Sequence, residues 1–152
     1  MPFWITCYHL IWATKDREPF IRPSVEKHLY PFMIERSREL GVYVHAMGGA
    51  TDHVHLIVSI PPNISVAHVV KTLKGASSHM LNQGQSDSHF AWQRGYGVVT
   101  LGQRQRAEAV EYVRQQQEHH RARTTNAWLE HESEHDEGPA AAEGCLRLQT
   151  SG

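Results

Sequence analysis

Residues 51–60, TDHVHLIVSI, decide how this chain is read. Val54, Leu56, Ile57, Val58 and Ile60 make the run apolar and β-branched enough for a buried strand. Side chains two apart on a strand point the same way, so His53 and His55 share a face and Val54 takes the other. Two imidazoles on one face of a rigid strand are either half of a metal site or two unrelated polar groups at a strand end. Pro61 and Pro62 close the strand, since neither can donate to a ladder.

Working outward, residues 42–48 read as a partner strand, joined to 53–60 by a tight turn at Gly48-Gly49 and their neighbours. Before it, Ser24 can cap a helix running to about Leu40, with Gly41 as its stop signal. Pro31 inside that helix should kink or divide it. The opening segment WITCYHLIWATK alternates apolar and polar residues and reads as a strand, followed by a proline-bearing loop, DREPFIRP. Downstream, Val66, Val69, Val70, Leu73 and Met80 fall at helical spacing within a helix over 65–82. FAWQRGYGVVTL reads as a strand broken by Gly95 and Gly97, and a third helix is expected over 104–123. The order β-α-β-β-α-β-α suggests an α+β fold, an antiparallel sheet of four or five strands with helices on one face.

The bulk numbers agree with one globular domain. The 152 residues are 40% hydrophobic, enough for a real core, and no run approaches the ~20 apolar residues of a membrane span. The start has no basic leader and no small-residue cleavage site, so no signal peptide is expected. Two cysteines in unrelated contexts support neither a disulfide framework nor a cysteine zinc site. A cytoplasmic location is the expectation. Residues 1–126 carry 14 Lys+Arg against 10 Asp+Glu (+4), and residues 127–152 carry 1 against 6 (−5). A mildly basic domain at 1–126 followed by an acidic, disordered tail at 127–152 is expected. The chain lacks a G-x-S-x-G elbow and a phosphate-loop motif, which excludes those catalytic frameworks.

On the third helix, in VEYVRQQQEHH, Tyr112 and Gln116 stand four residues apart and share a face, and His119 continues the stripe. The HVH strand followed by a helix bearing Tyr-x-x-x-Gln resembles the HUH single-tyrosine transposases, the small insertion-sequence enzymes that act on single-stranded DNA, and their REP-associated relatives. The resemblance covers roughly residues 3–122 and includes TKDREPFI, DHVHLIVSIPP, LKGASSHML, FAWQRGYGVVTL and YVRQQQEHH. It implies a ferredoxin-like or RRM-like sheet. It also implies His53, His55 and Gln116 as ligands of a divalent metal, Mg²⁺ or Mn²⁺, and Tyr112 as the nucleophile. The partners it implies are a DNA hairpin and a second copy of the chain. Asp16 stands where relatives usually carry an aromatic residue, and Gln115 where an Asn commonly precedes the ligand.

The chemistry is coherent in its own right. Imidazole and amide-oxygen donors, with the other positions open to water and phosphate oxygens, suit Mg²⁺ or Mn²⁺ better than a thiolate-rich set would. An ordinary phenol has a pKa of about 10 and is only ~0.1% ionised at pH 7, so a tyrosine nucleophile needs help from its site. A tyrosine–phosphate bond conserves the phosphodiester's energy for rejoining, which hydrolysis by water does not. Lys15, Arg17, Arg22, Lys71, Lys74, Arg94, Arg121 and Arg123 are candidates to follow a DNA backbone, with Trp92 and Tyr96 as stacking surfaces. His45 is a candidate neighbour of the site. The other readings are a nucleic-acid-binding protein that has lost strand transfer, and a metal-dependent nuclease in which Tyr112 is incidental.

Overall fold

The computed structural model describes residues 3–83 and 89–115. Its four strands are β1 (Tyr8–Ala13), β2 (Tyr43–Gly49), β3 (His53–Ser59) and β4 (Gly97–Thr100). Its helices are α1 (Pro23–Glu39), α2 (Val66–Asn82) and α3 (Gln103–Arg114). The strands form one sheet in the order β2-β3-β1-β4, and every neighbouring pair is antiparallel. This is the expected α+β fold, with four strands. The third helix, however, lies on the opposite face from the first two.

Alternation along the two central strands explains that division. Leu10, Trp12, Val54, Leu56 and Val58 point to one face and pack with Leu29 and Met33 of α1 and Val69, Val70 and Leu73 of α2. Each such side chain, fully buried, contributes roughly 1.5–3 kcal/mol. On the other face Cys7, Ala46 and Ile57 meet Leu101, Ala109 and Val113 from α3 and the turn before it. The apolar stripe of α3 is thin, with Ala109 and Val113 its buried residues.

The ends of the elements follow local chemistry. Helix α1 begins at Pro23 with Arg22 at the N-cap, not with Ser24 as its cap. Pro23 supplies a helical φ at the first position, where its missing N–H is not needed. Pro31 lies inside α1 without dividing it. Pro31 and Lys27, whose carbonyl it cannot serve, are both exposed, where water can hydrate the interrupted backbone. Gly41, at φ +78°, ends α1 as expected. The Ser65 hydroxyl caps α2 by accepting from the His68 N–H at 3.1 Å.

Two expectations need correction. Gly48 and Gly49 are not the turn. They are the last residues of β2, opposite His55 and Val54, and the turn is Ala50–Asp52. The FAWQRGYGVVTL strand is shorter than expected, since only Gly97–Thr100 pairs as β4, while Trp92 makes an isolated bridge to Thr14. The 126/127 domain boundary, the acidic tail and the end of the third helix beyond Gln115 lie outside the described residues.

Candidate metal and nucleophile site

The α3 face of the sheet carries three buried histidines. His53 and His55 come from β3 and His9 from β1, each 2% exposed or less. The His53 and His55 ring centroids are 5.0 Å apart, and His55 and His9 are 4.9 Å apart. From α3 the half-buried Tyr112 brings its ring centroid to 6.0 Å from that of His55, edge to face at 81°. Tyr112 and the histidine pair of one chain therefore meet at one place.

Gly48 makes this approach possible. A Cβ on Gly48 would lie 2.3 Å from the Val113 carbonyl oxygen. Only a bare Cα lets the backbone of α3 settle at that height, and Val113 immediately follows Tyr112. Gly48 also stands opposite His55 in the β2–β3 register. One glycine thus sets the depth of the Tyr112 helix over the imidazoles. Helix α3 starts from Gly102, whose N–H donates to the Gln105 side-chain oxygen at 3.0 Å.

Both β3 histidines are oriented through their Nδ1 atoms. His53 Nδ1 donates to Asp52 Oδ1 at 2.7 Å, which fixes the tautomer with its lone pair on Nε2. His55 Nδ1 lies 2.7 Å from His9 Nε2. Asp52 itself is pinned, its carbonyl accepting from the Thr14 N–H at 2.8 Å and the Thr14 hydroxyl at 3.1 Å. The hydrogen bond from His53 holds the Asp52 carboxyl below the usual carboxylate range, helped by Arg17, whose guanidinium is 3.8 Å away, and opposed by partial burial. Because that pKa is lowered on folding, the stabilisation is present above the ordinary Asp value near 4 and is lost as pH falls through the lowered value. A carboxylate behind an imidazole is the usual support of a metal-binding histidine.

The donor set therefore fits a divalent cation, with two oriented imidazoles on a rigid strand. Among the described residues no three His, Cys, Asp or Glu side chains are placed to hold an ion together. Gln116, expected as the third protein ligand, lies outside the described residues, as do Arg121, Arg123, His119 and His120. His45 is not part of the site. Its Nε2 is 2.7 Å from Ser59 Oγ at the far end of β3.

Four of the basic candidates fall into two groups. Lys15 and Arg17 are exposed on the turn after β1, with Arg17 beside Asp52. Asp16 and Arg17 adopt left-handed backbone, φ 55° and 56°, and the Asp16 N–H donates to Gln93 Oε1 at 3.0 Å. Lys71, Lys74, Trp92 and Tyr96 line a groove of about 700 Å³ on the α2 side. Lys74 Nζ donates to the carbonyls of Gln93 and Gly95 at 2.8 and 2.9 Å, so it also braces that turn. Arg22 and Arg94 are exposed. His9, Asp52 and Gly48 are not among the site residues expected from the sequence. A histidine inside an otherwise apolar strand was the available signal for His9.

Residues 3–116 match the family described as "Transposase IS200 like". The chain belongs to the IS200-like transposases. It is thus a DNA-cleaving and DNA-transferring enzyme that acts on single strands. The ISDra2 transposase TnpA of Deinococcus radiodurans is 29% identical over 115 residues, covering 72% of this chain and 82% of that one. The transposase for insertion sequence element IS200 of Salmonella typhimurium is 29% identical over 121 residues, covering 76% and 79%. A solved structure from Deinococcus radiodurans, provisionally named a transposase, superposes with a TM-score of 0.61 at 28% identity, covering 76% of this chain and 95% of that one. A REP-associated tyrosine transposase, solved bound to a REP hairpin, shares the fold at 14% identity and a TM-score of 0.57, covering 74% and 68%. Transposases of this kind generally use a divalent metal. No helix among the described residues of this transposase is long and apolar enough to cross a membrane.

Proposed function

We propose that this transposase cuts and rejoins single-stranded DNA through Tyr112, with His53, His55 and Gln116 holding a divalent metal, Mg²⁺ or Mn²⁺. One observation carries the reading: the Tyr112 ring stands 6.0 Å from His55, on the sheet face where His55 and His53 adjoin at 5.0 Å. In this reading the Tyr112 phenol loses its proton and its oxygen attacks a backbone phosphorus. The bond from phosphorus to the 3′-oxygen breaks, leaving a 5′-phosphotyrosine and a 3′-hydroxyl that takes up a proton. Attack by a 3′-hydroxyl on the phosphotyrosine reverses the step, joining strands without ATP. A divalent ion held by these residues would supply Lewis-acid polarisation of the phosphate and orientation of the leaving oxygen.

The chain's own residues supply position. Asp52 orients His53, Gly48 sets the height of the Tyr112 helix, and the burial of both imidazoles keeps their rotamers fixed. Lys15, Arg17, Lys71, Lys74, Arg94, Arg121 and Arg123 are assigned to DNA backbone contacts. The DNA partner is assigned as a hairpin end, and the working unit as a homodimer. Residues 1–126 form the transposase domain and 127–152 an acidic tail.

Covalent trapping tests this reading. Full-length protein is incubated with labelled single-stranded hairpins, with Mg²⁺, Mn²⁺ or EDTA, and denatured. The expected result is a metal-dependent protein–DNA band that is lost in Tyr112→Phe, by about 10³-fold or more, while hairpin binding persists. Cleavage without a covalent band would replace the reading with a nuclease, and binding with neither would replace it with a DNA-binding protein.

A further inference from the structure

The buried His9 has no role in the chemistry above, yet it touches the proposed site. We infer that His9 is a positioning residue that fixes the tautomer of His55, so that His55 offers Nε2 to the metal. The inference rests on the reading of His55 as a ligand. His9 lies on β1, which is hydrogen-bonded on both sides, to β3 and to β4. The register sets His9 opposite Ile57 and Val99, which makes it the diagonal neighbour of His55. It is 1% exposed, and its Nε2 lies 2.7 Å from His55 Nδ1.

Between two such nitrogens one must carry the proton. If His55 Nδ1 accepted, its proton would sit on Nε2 and that nitrogen could not bind a metal. Ligation through Nε2 requires the opposite arrangement, with His55 Nδ1–H donating to His9 Nε2. His9 then does for His55 what Asp52 does for His53. The two supports differ in kind, one an anion at the strand's mouth and the other a neutral ring inside the sheet. An alkyl side chain would fill the space without the cost of burying an imidazole. It would leave the His55 ring without a fixed donor–acceptor sense.

The test uses the full chain and Mn²⁺ alone as probe. Long-range ¹H–¹⁵N spectra of the metal-less protein report the His55 tautomer, and Mn²⁺ titration by calorimetry or EPR reports affinity. The wild type is expected to show His55 as the Nδ1–H form. His9→Phe is expected to redistribute that tautomer and weaken Mn²⁺ by about 10–100-fold. His9→Gln, whose amide oxygen reaches the position of Nε2, is expected to restore most of the affinity. If His9→Phe does not fold, as read by thermal melting, His9→Met serves in its place. A wild-type Nε2–H tautomer, or Mn²⁺ affinity unchanged in the folded variant, would overturn the assignment of His9 alone. Wild-type protein that binds no Mn²⁺ would overturn the metal reading of the site as well.

Discussion

The two faces of one sheet are built from alternate residues of the same strands, yet they hold different kinds of interior. On β3, Val54, Leu56 and Val58 face α1 and α2 and are fully buried among apolar side chains. His53 and His55, one residue out of phase, are as fully buried but sit under α3 beside His9 and Tyr112. Equal burial therefore does not mean equal purpose. The first face gains its free energy from apolar area, whereas the second holds imidazoles that cost free energy to bury unless each nitrogen is partnered.

The sharpest way to break this contrast is on the apolar side. Leu56→Ala removes a fully buried side chain between the two helices and should cost about 2–5 kcal/mol of stability. Urea unfolding measures that loss. At temperatures where the variant remains folded, its metal affinity should match that of wild type, because Leu56 points away from the histidines. A loss of affinity in the folded variant would show that the faces are not separable.

Gly48→Ala should have a smaller effect on stability and a larger one on function. The added methyl would meet the Val113 carbonyl at 2.3 Å, and overpacking of this kind costs about 1–3 kcal/mol. Helix α3 must lift to relieve it, carrying Tyr112 away from His55. Covalent trapping on a hairpin substrate should fall by about 10²-fold, as a misplacement of about 1 Å can cause, while Mn²⁺ affinity changes little. Equal losses in both assays would argue that α3 holds the histidines as well as Tyr112.

These two residues also show what sequence could and could not supply. The alternation around Leu56 was legible at once, and with it the strand, the shared face of His53 and His55 and the α+β order. A glycine pair before a strand is a common hairpin signal, so the local sequence presents Gly48 as a turn residue. Its real constraint is the backbone of α3, 65 residues downstream, which no local pattern reveals. His9 was missed for a related reason. Its meeting with His55 depends on the register between β1 and β3, set by long-range pairing rather than by either strand's own sequence. That α3 crosses to the opposite face likewise follows from which side α1 and α2 leave uncovered.

Asp52 gives the finest separation of the two faces. Its carboxylate accepts from His53 Nδ1 at 2.7 Å and lies 3.8 Å from Arg17, both partners at the mouth of the sheet. The pair with Arg17 is half exposed, so its loss should cost no more than about 1 kcal/mol, while taking the Asp52 acceptor from the buried His53 Nδ1–H should cost about 1–3 kcal/mol. Asp52→Ala removes both the acceptor and the charge behind His53 and should weaken Mn²⁺ by about 10–100-fold. Asp52→Asn keeps an acceptor oxygen at nearly the same place and removes only the charge, so its loss should fall between wild type and Asp52→Ala. Calorimetric Mn²⁺ titration of the two variants thus separates orientation from electrostatics. An Asn variant as weak as the Ala variant would assign the support of His53 to negative charge. An Asn variant equal to wild type would assign it to the fixed tautomer, the same means by which a neutral His9 serves His55.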